Sequence, residues 1–243
     1  MARNPISITF LAAALASGVA LTGQEPQVEA LQPRRHAIMH LDSAALKRHA
    51  FARAHAQRHE ADPQTHYMLD QARTAGATGS VNLLSYLAYT PSTWNQENCG
   101  DCWVWGSTAA CSIASGAHGN KTLISVQWFN SSYNSGTGSS WACCGGDSDT
   151  FATWYNSHTK FIPWSNTNAS FKDASGDCHG TTAQKASGIS TTSNIPFTSI
   201  TNQVITTTGV TQAQAIANIK AVLNNNQAVC FSYFLNGTGW TNF

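Results

Sequence analysis

Seven cysteines, at positions 99, 102, 111, 143, 144, 178 and 230, limit what this 243-residue chain can fold into. In an oxidising compartment they imply disulfides, and the odd count leaves at least one free thiol. The compartment is indicated at the N-terminus, "MARNPISITFLAAALASGVALTG". There Arg3 precedes a short apolar run, Ile6 to Ala20, and small residues follow it. This is the pattern of a secretory signal, and it is too short for a spanning helix. Cleavage between Ala16 and Gly23 would leave a secreted or extracellular chain (or a periplasmic or lumenal one), with no stable membrane association.

Charge supports a division of the chain. Eight of the thirteen basic residues lie before residue 80, whereas five lysines face six acids after it. Only 10% of residues are charged, against roughly 25% in ordinary soluble domains. Formal net charge is +1, so no basic surface points to nucleic acid. The segments are 1–23, a signal; 24–79, a propeptide-like or linker stretch; and 80–243, the globular domain. Six of the nine histidines fall in the second segment. No cysteine or carboxylate cluster joins them there, so they read as a polar amphipathic helix and not as a metal site.

In the third segment the spacing predicts helices from Asp101 to about Ser115, over "SVQWFNSSY", over "SDTFATWYNSH" and over "TQAQAIANIKAVLNNN". The last places Ala215, Ile216, Ile219 and Leu223 on one face, with Thr211 as cap. "AVCFSYFL" reads as a strand. Helices first and strand later favour an α+β fold.

The chemistry concentrates in "NQENCGDCWVWGSTAACS", Asn95 to Ser112. Cys102 falls in the first turn of a helix, where free N–H groups and the helix dipole favour a thiolate. Gln96, six residues earlier, carries an amide of the kind that stabilises an oxyanion. The Cys102 N–H is a second such donor. Asp101 is a candidate N-cap whose charge opposes the thiolate. Cys111 and Cys230 read as small core residues. The Cys99–Cys102 spacing also admits a redox dithiol, and with Cys143 and Cys144 a zinc knuckle. Both are weaker readings: no βαβ frame precedes the motif, and adjacent cysteines suit a zinc site poorly.

"QENCGDCW" resembles the active-site segment of papain-like cysteine peptidases, whose pattern is C-G-[SA]-C-[WY]. "WACCGGDSDTFATWY" resembles that family's Cys-Asn-Gly-Gly stretch and following helix, and "LISVQWFNSSY" its Leu-Ser-Glu-Gln helix. "TQAQAIANIKAVLNNNQAVCFSYF" resembles the helix and strand that open the second lobe. The resemblance covers about residues 81 to 243. It implies a two-lobe α+β fold with a complete helical left lobe and a partial right-lobe β-barrel. It also implies hydrolysis of peptide bonds in an extended peptide or protein substrate, without cofactor or metal. By position Cys102 becomes the nucleophile, Gln96 the oxyanion donor, Cys99 and Cys143 a disulfide, and Gly145 and Gly146 the backbone that pairs with substrate. Trp103 becomes a packing residue.

There are departures. Asp101 replaces a small residue. Cys144 replaces an asparagine, with Cys178 as a candidate partner. The family's histidine follows its cysteine by roughly 130–150 residues, yet no histidine follows His179. His118, His158 and His179 come too early. The resemblance thus implies a C-terminally truncated peptidase lacking its histidine and asparagine and inactive as given. The alternatives are a catalytically dead papain-like binding protein and, behind it, a C-x-x-C oxidoreductase.

Overall fold

The computed structural model describes residues 6–11, 47, 81–90, 94–207 and 209–231. The segment 24–79, with its expected His-rich helix, therefore lies almost wholly outside the described residues.

The centre of the molecule is α1, Cys102–Ala117. Its sequence is built from small residues with Trp103, Val104 and Ile113 among them. Ten of its sixteen residues are buried, far more than one stripe, so neighbours pack on several sides. Ser112 is tolerated there because its hydroxyl donates to the Thr108 carbonyl one turn back, at 2.9 Å. Gly116 admits the backbone of the turn Leu83–Tyr86: a Cβ on it would lie 2.3 Å from the Tyr86 carbonyl oxygen.

Two shorter helices close on α1. α2, Val126–Ser132, starts where the Ser125 hydroxyl accepts from the Trp128 N–H at 2.9 Å. α3, Ser148–His158, is capped by the Asp147 carboxylate, which accepts from the Thr150 N–H at 2.7 Å, and ends at Thr159 with φ +52°. Phe129, Phe151 and Tyr155 stack between them and α1, fully buried. Burying each such ring contributes about 1.5–3 kcal/mol.

The strands are short. β2, Lys160–Phe161, pairs antiparallel with β3, Ile195–Pro196. β1, Ile6–Leu11, is the middle strand of a three-stranded parallel sheet, flanked by β4, Ile200–Val204, and β5, Val229–Phe231. The stretch read as a cleaved signal thus supplies the central strand, and cleavage would remove the strand that both β4 and β5 pair with among the described residues.

α4, Gln212–Asn224, begins at the Thr211 cap as expected. Its buried residues, however, are Asn218, Ala221 and Val222, while Ala215, Ile216, Ile219 and Leu223 are only half-buried. The shift has a polar cause: the Asn218 amide donates to the Thr206 carbonyl at 2.7 Å and accepts from Gln214 at 2.9 Å. The α+β class is as expected. No helix among the described residues is long and apolar enough to cross a membrane.

Candidate active site

Four cysteines form two disulfides, Cys99–Cys143 and Cys144–Cys178. They surround the buried Trp141 ring, whose indole N–H donates to the Asp177 carbonyl at 3.0 Å. Cys102, Cys111 and Cys230 are free. The pairing removes Cys99 from any dithiol with Cys102 and commits Cys99, Cys143 and Cys144, three of the four candidate zinc ligands, to other bonds. Cys111 is buried in α1, and the Cys230 thiol donates to the Gly106 carbonyl at 3.1 Å. Both act as core residues, and burial pushes the Cys230 thiol up to about 12.

Cys102, at the first position of α1, is the one with an exposed face, although protein still crowds its sulfur. The segment before it is fixed at several points. Asn98 N–H donates to the Ala174 carbonyl at 2.9 Å, and Cys99 is bridged to Cys143. Glu97 adopts φ +52°, and Asn95 Oδ1 accepts from its N–H at 2.9 Å. This turn carries the half-buried Gln96, whose Nε2 donates to the Cys99 carbonyl at 2.8 Å.

Opposing influences act on the Cys102 thiol, and its pKa is raised on balance. Protein packed around the sulfur raises it most, and Asp101 in its ionised form pushes the same way. The backbone N–H groups of Trp103 and Cys102 and the side chain of Gln96 pull it down. The helix-start effect expected from the sequence is therefore present but outweighed. No described histidine is among the groups acting on this sulfur. His118 ends α1, and His158 stacks on Trp154 at 3.9 Å between centroids.

Asp101 is not the side-chain cap that the sequence suggests; its carboxyl makes no capping hydrogen bond. It turns into the interior, where Asn130 Nδ2 of α2 donates to its Oδ2 at 2.7 Å. The same Nδ2 lies 3.3 Å from Asp173 Oδ2. Gln127, Asn130, Ser131, Asp173 and Thr182 form a buried polar network behind Cys102. Sequence reasoning missed it, although Gln127, Asn130 and Ser131 at helical spacing in an apolar helix were its visible signal.

Gly145 has φ +98°, in the region that favours glycine, and Gly146 lies under the Trp103 ring. Trp103 packs as expected: its indole N–H donates to the Ala142 carbonyl at 3.0 Å, and its ring stands edge-on to Phe129. No protein-family model, curated protein or solved structure matches this chain.

Proposed function

We propose that residues 80–243 carry the cysteine half of a papain-like peptidase site, on the two-lobe plan that the motifs resemble. Cys102 sulfur attacks the carbonyl of a peptide bond. The oxyanion is held by the Gln96 amide and the Cys102 N–H. The C–N bond then breaks, the amine leaves with a proton, and the acyl group stays on sulfur until water releases it. The observation that carries this reading is the pairing of an exposed thiol at a helix start with the Gln96 side chain acting on it, both fixed by the Cys99–Cys143 bridge. The two glycines at 145 and 146 offer backbone to an extended substrate. The base would be a histidine other than His118, His158 and His179. The disulfides and the absence of a spanning helix among the described residues suit a secreted protein.

A second reading is favoured by the raised thiol and the lack of a described histidine beside it: a papain-like protein that binds peptides without cleaving them. A single labelling experiment separates the two. A peptidyl chloromethyl ketone should alkylate Cys102 at least tenfold faster than a chloromethyl ketone of the same intrinsic reactivity lacking the peptide. Gln96→Ala should slow the peptidyl reagent and leave the simple one unchanged. Equal rates for both reagents, with no effect of Gln96→Ala, would end the peptidase reading. Reversible peptide binding without covalent labelling would install the second.

A further inference from the structure

Two buried carboxyl groups meet one amide behind Cys102, and they are provided for very differently. Asp173 is well supplied with donors. Ala183 N–H and the Thr182 hydroxyl reach its Oδ1 at 2.7 and 2.9 Å, and Gln127 Nε2 reaches its Oδ2 at 2.8 Å. Asp101 is fully buried and has one side-chain hydrogen bond, from Asn130 Nδ2 to Oδ2. Its Oδ1 has no partner, and neither has the Oδ1 of Asn130, although both atoms are buried. Two orphaned acceptors on one hydrogen-bonded carboxyl–amide pair are two atoms short of a donor. One proton supplies both.

We propose that Asp101 is an un-ionised carboxylic acid in the folded protein at neutral pH, its Oδ1–H donating to Asn130 Oδ1. With the Asn130 Nδ2–H···Oδ2 bond this closes a ring of two hydrogen bonds. The acid thereby places no charge beside the Cys102 thiol while it holds α1 to α2. Asp101 is a positioning residue, and its protonation sets the field at the Cys102 thiol.

Burial, then the nearby Asp173 charge, act in the same direction and push the Asp101 carboxyl up to about 8. The charged and titrating groups facing it are Asp173 and the Cys102 thiol. Lys172, next to Asp173 in sequence, is turned outward, its Nζ bonded to Asn168 Oδ1 at 3.0 Å. The Trp105 indole N–H and the Asp101 backbone N–H also face the carboxyl and pull its pKa down, the indole falling short of hydrogen-bond geometry. If it were the donor to Oδ1, Asp101 would be ionised instead. The inference concerns a protonation state and does not depend on the peptidase reading.

The sign follows from linkage. The folded state keeps a proton that the unfolded chain releases, so stability falls as pH rises from the ordinary carboxylate range through about 8. Asp101→Asn imitates the neutral acid, because its amide can make both ring bonds at any pH. The test is infrared spectroscopy of the full chain labelled with ¹³C at the aspartate carboxyl, together with denaturant melts across that pH range. We expect an un-ionised carboxyl band at neutral pH that fades as pH passes about 8. It should be absent from Asp101→Asn and shifted in Asn130→Ala. Asp101→Asn should gain stability over the unaltered chain progressively with pH. The unaltered chain alone suffices if a variant fails to fold: no such band at neutral pH overturns the proposal. So does an Asp101→Asn variant less stable than the unaltered chain by the same margin at every pH, which is the result expected if Trp105 is the donor.

Discussion

A methyl group on Gly146 would sit 2.7 Å from the Trp103 ring, closer than any real Cβ contact. The ring itself is held by its bond to the Ala142 carbonyl and by Phe129, so it has little room to retreat. Gly146→Ala should therefore cost about 1–3 kcal/mol, in the range of core overpacking. A urea melt and the near-ultraviolet circular dichroism of the tryptophans would report it. Gly146 thus has a packing reason to be glycine that is separate from any role toward substrate. At this scale the sequence was legible where a short motif fixes the geometry. Cys102 opens its helix as the spacing predicts, and the half-cystines pair as the motif and its extension suggested. Asp101 was not legible. An aspartate before a helix reads as a cap, and only the amide of Asn130, on another helix, turns it inward.

Helices α2 and α3 were readable because their starts are written locally, in Ser125 and Asp147. Ser125 does two things at once. Its oxygen accepts from the Trp128 N–H, and its hydroxyl donates to the Ala169 carbonyl at 2.6 Å, all within the core. Ser125→Ala removes a cap and leaves a buried carbonyl unpaired, so it should destabilise the protein by about 1–3 kcal/mol. Thermal and urea unfolding of the variant would measure this, and a loss near zero would mean that water replaces the hydroxyl. The strands were far less legible. β4 was missed, because its partner strand Ile6–Leu11 lies nearly two hundred residues away in the chain. The face of α4 was read one position off because hydrophobic periodicity does not register a buried asparagine anchored to a loop carbonyl.

Across the whole molecule, the two bridges close loops of 44 and 34 residues. The chain-entropy model gives each roughly 4 kcal/mol. Their consequences for the site should differ. Replacing Cys144 and Cys178 with serine should lower stability but leave peptidyl labelling of Cys102 intact. Replacing Cys99 and Cys143 should lower stability similarly and also slow that labelling, because it releases the turn that holds Gln96. Melts and labelling rates on the two double variants would distinguish a bridge that shapes the site from one that only staples the fold.

The free thiol of Cys102 stands three residues from a disulfide-bonded sulfur, at the spacing of an exchanging dithiol. As a thiolate it could attack Cys99, expel Cys143 and pass the fault on to the adjacent Cys144–Cys178 bridge. An un-ionised thiol exchanges poorly. The crowding that raises the Cys102 pKa and dulls it as a nucleophile therefore also protects the scaffold from its own reactive group. A bound substrate that sharpened this sulfur would have to occupy it as well, or the molecule would begin to reshuffle its own cross-links.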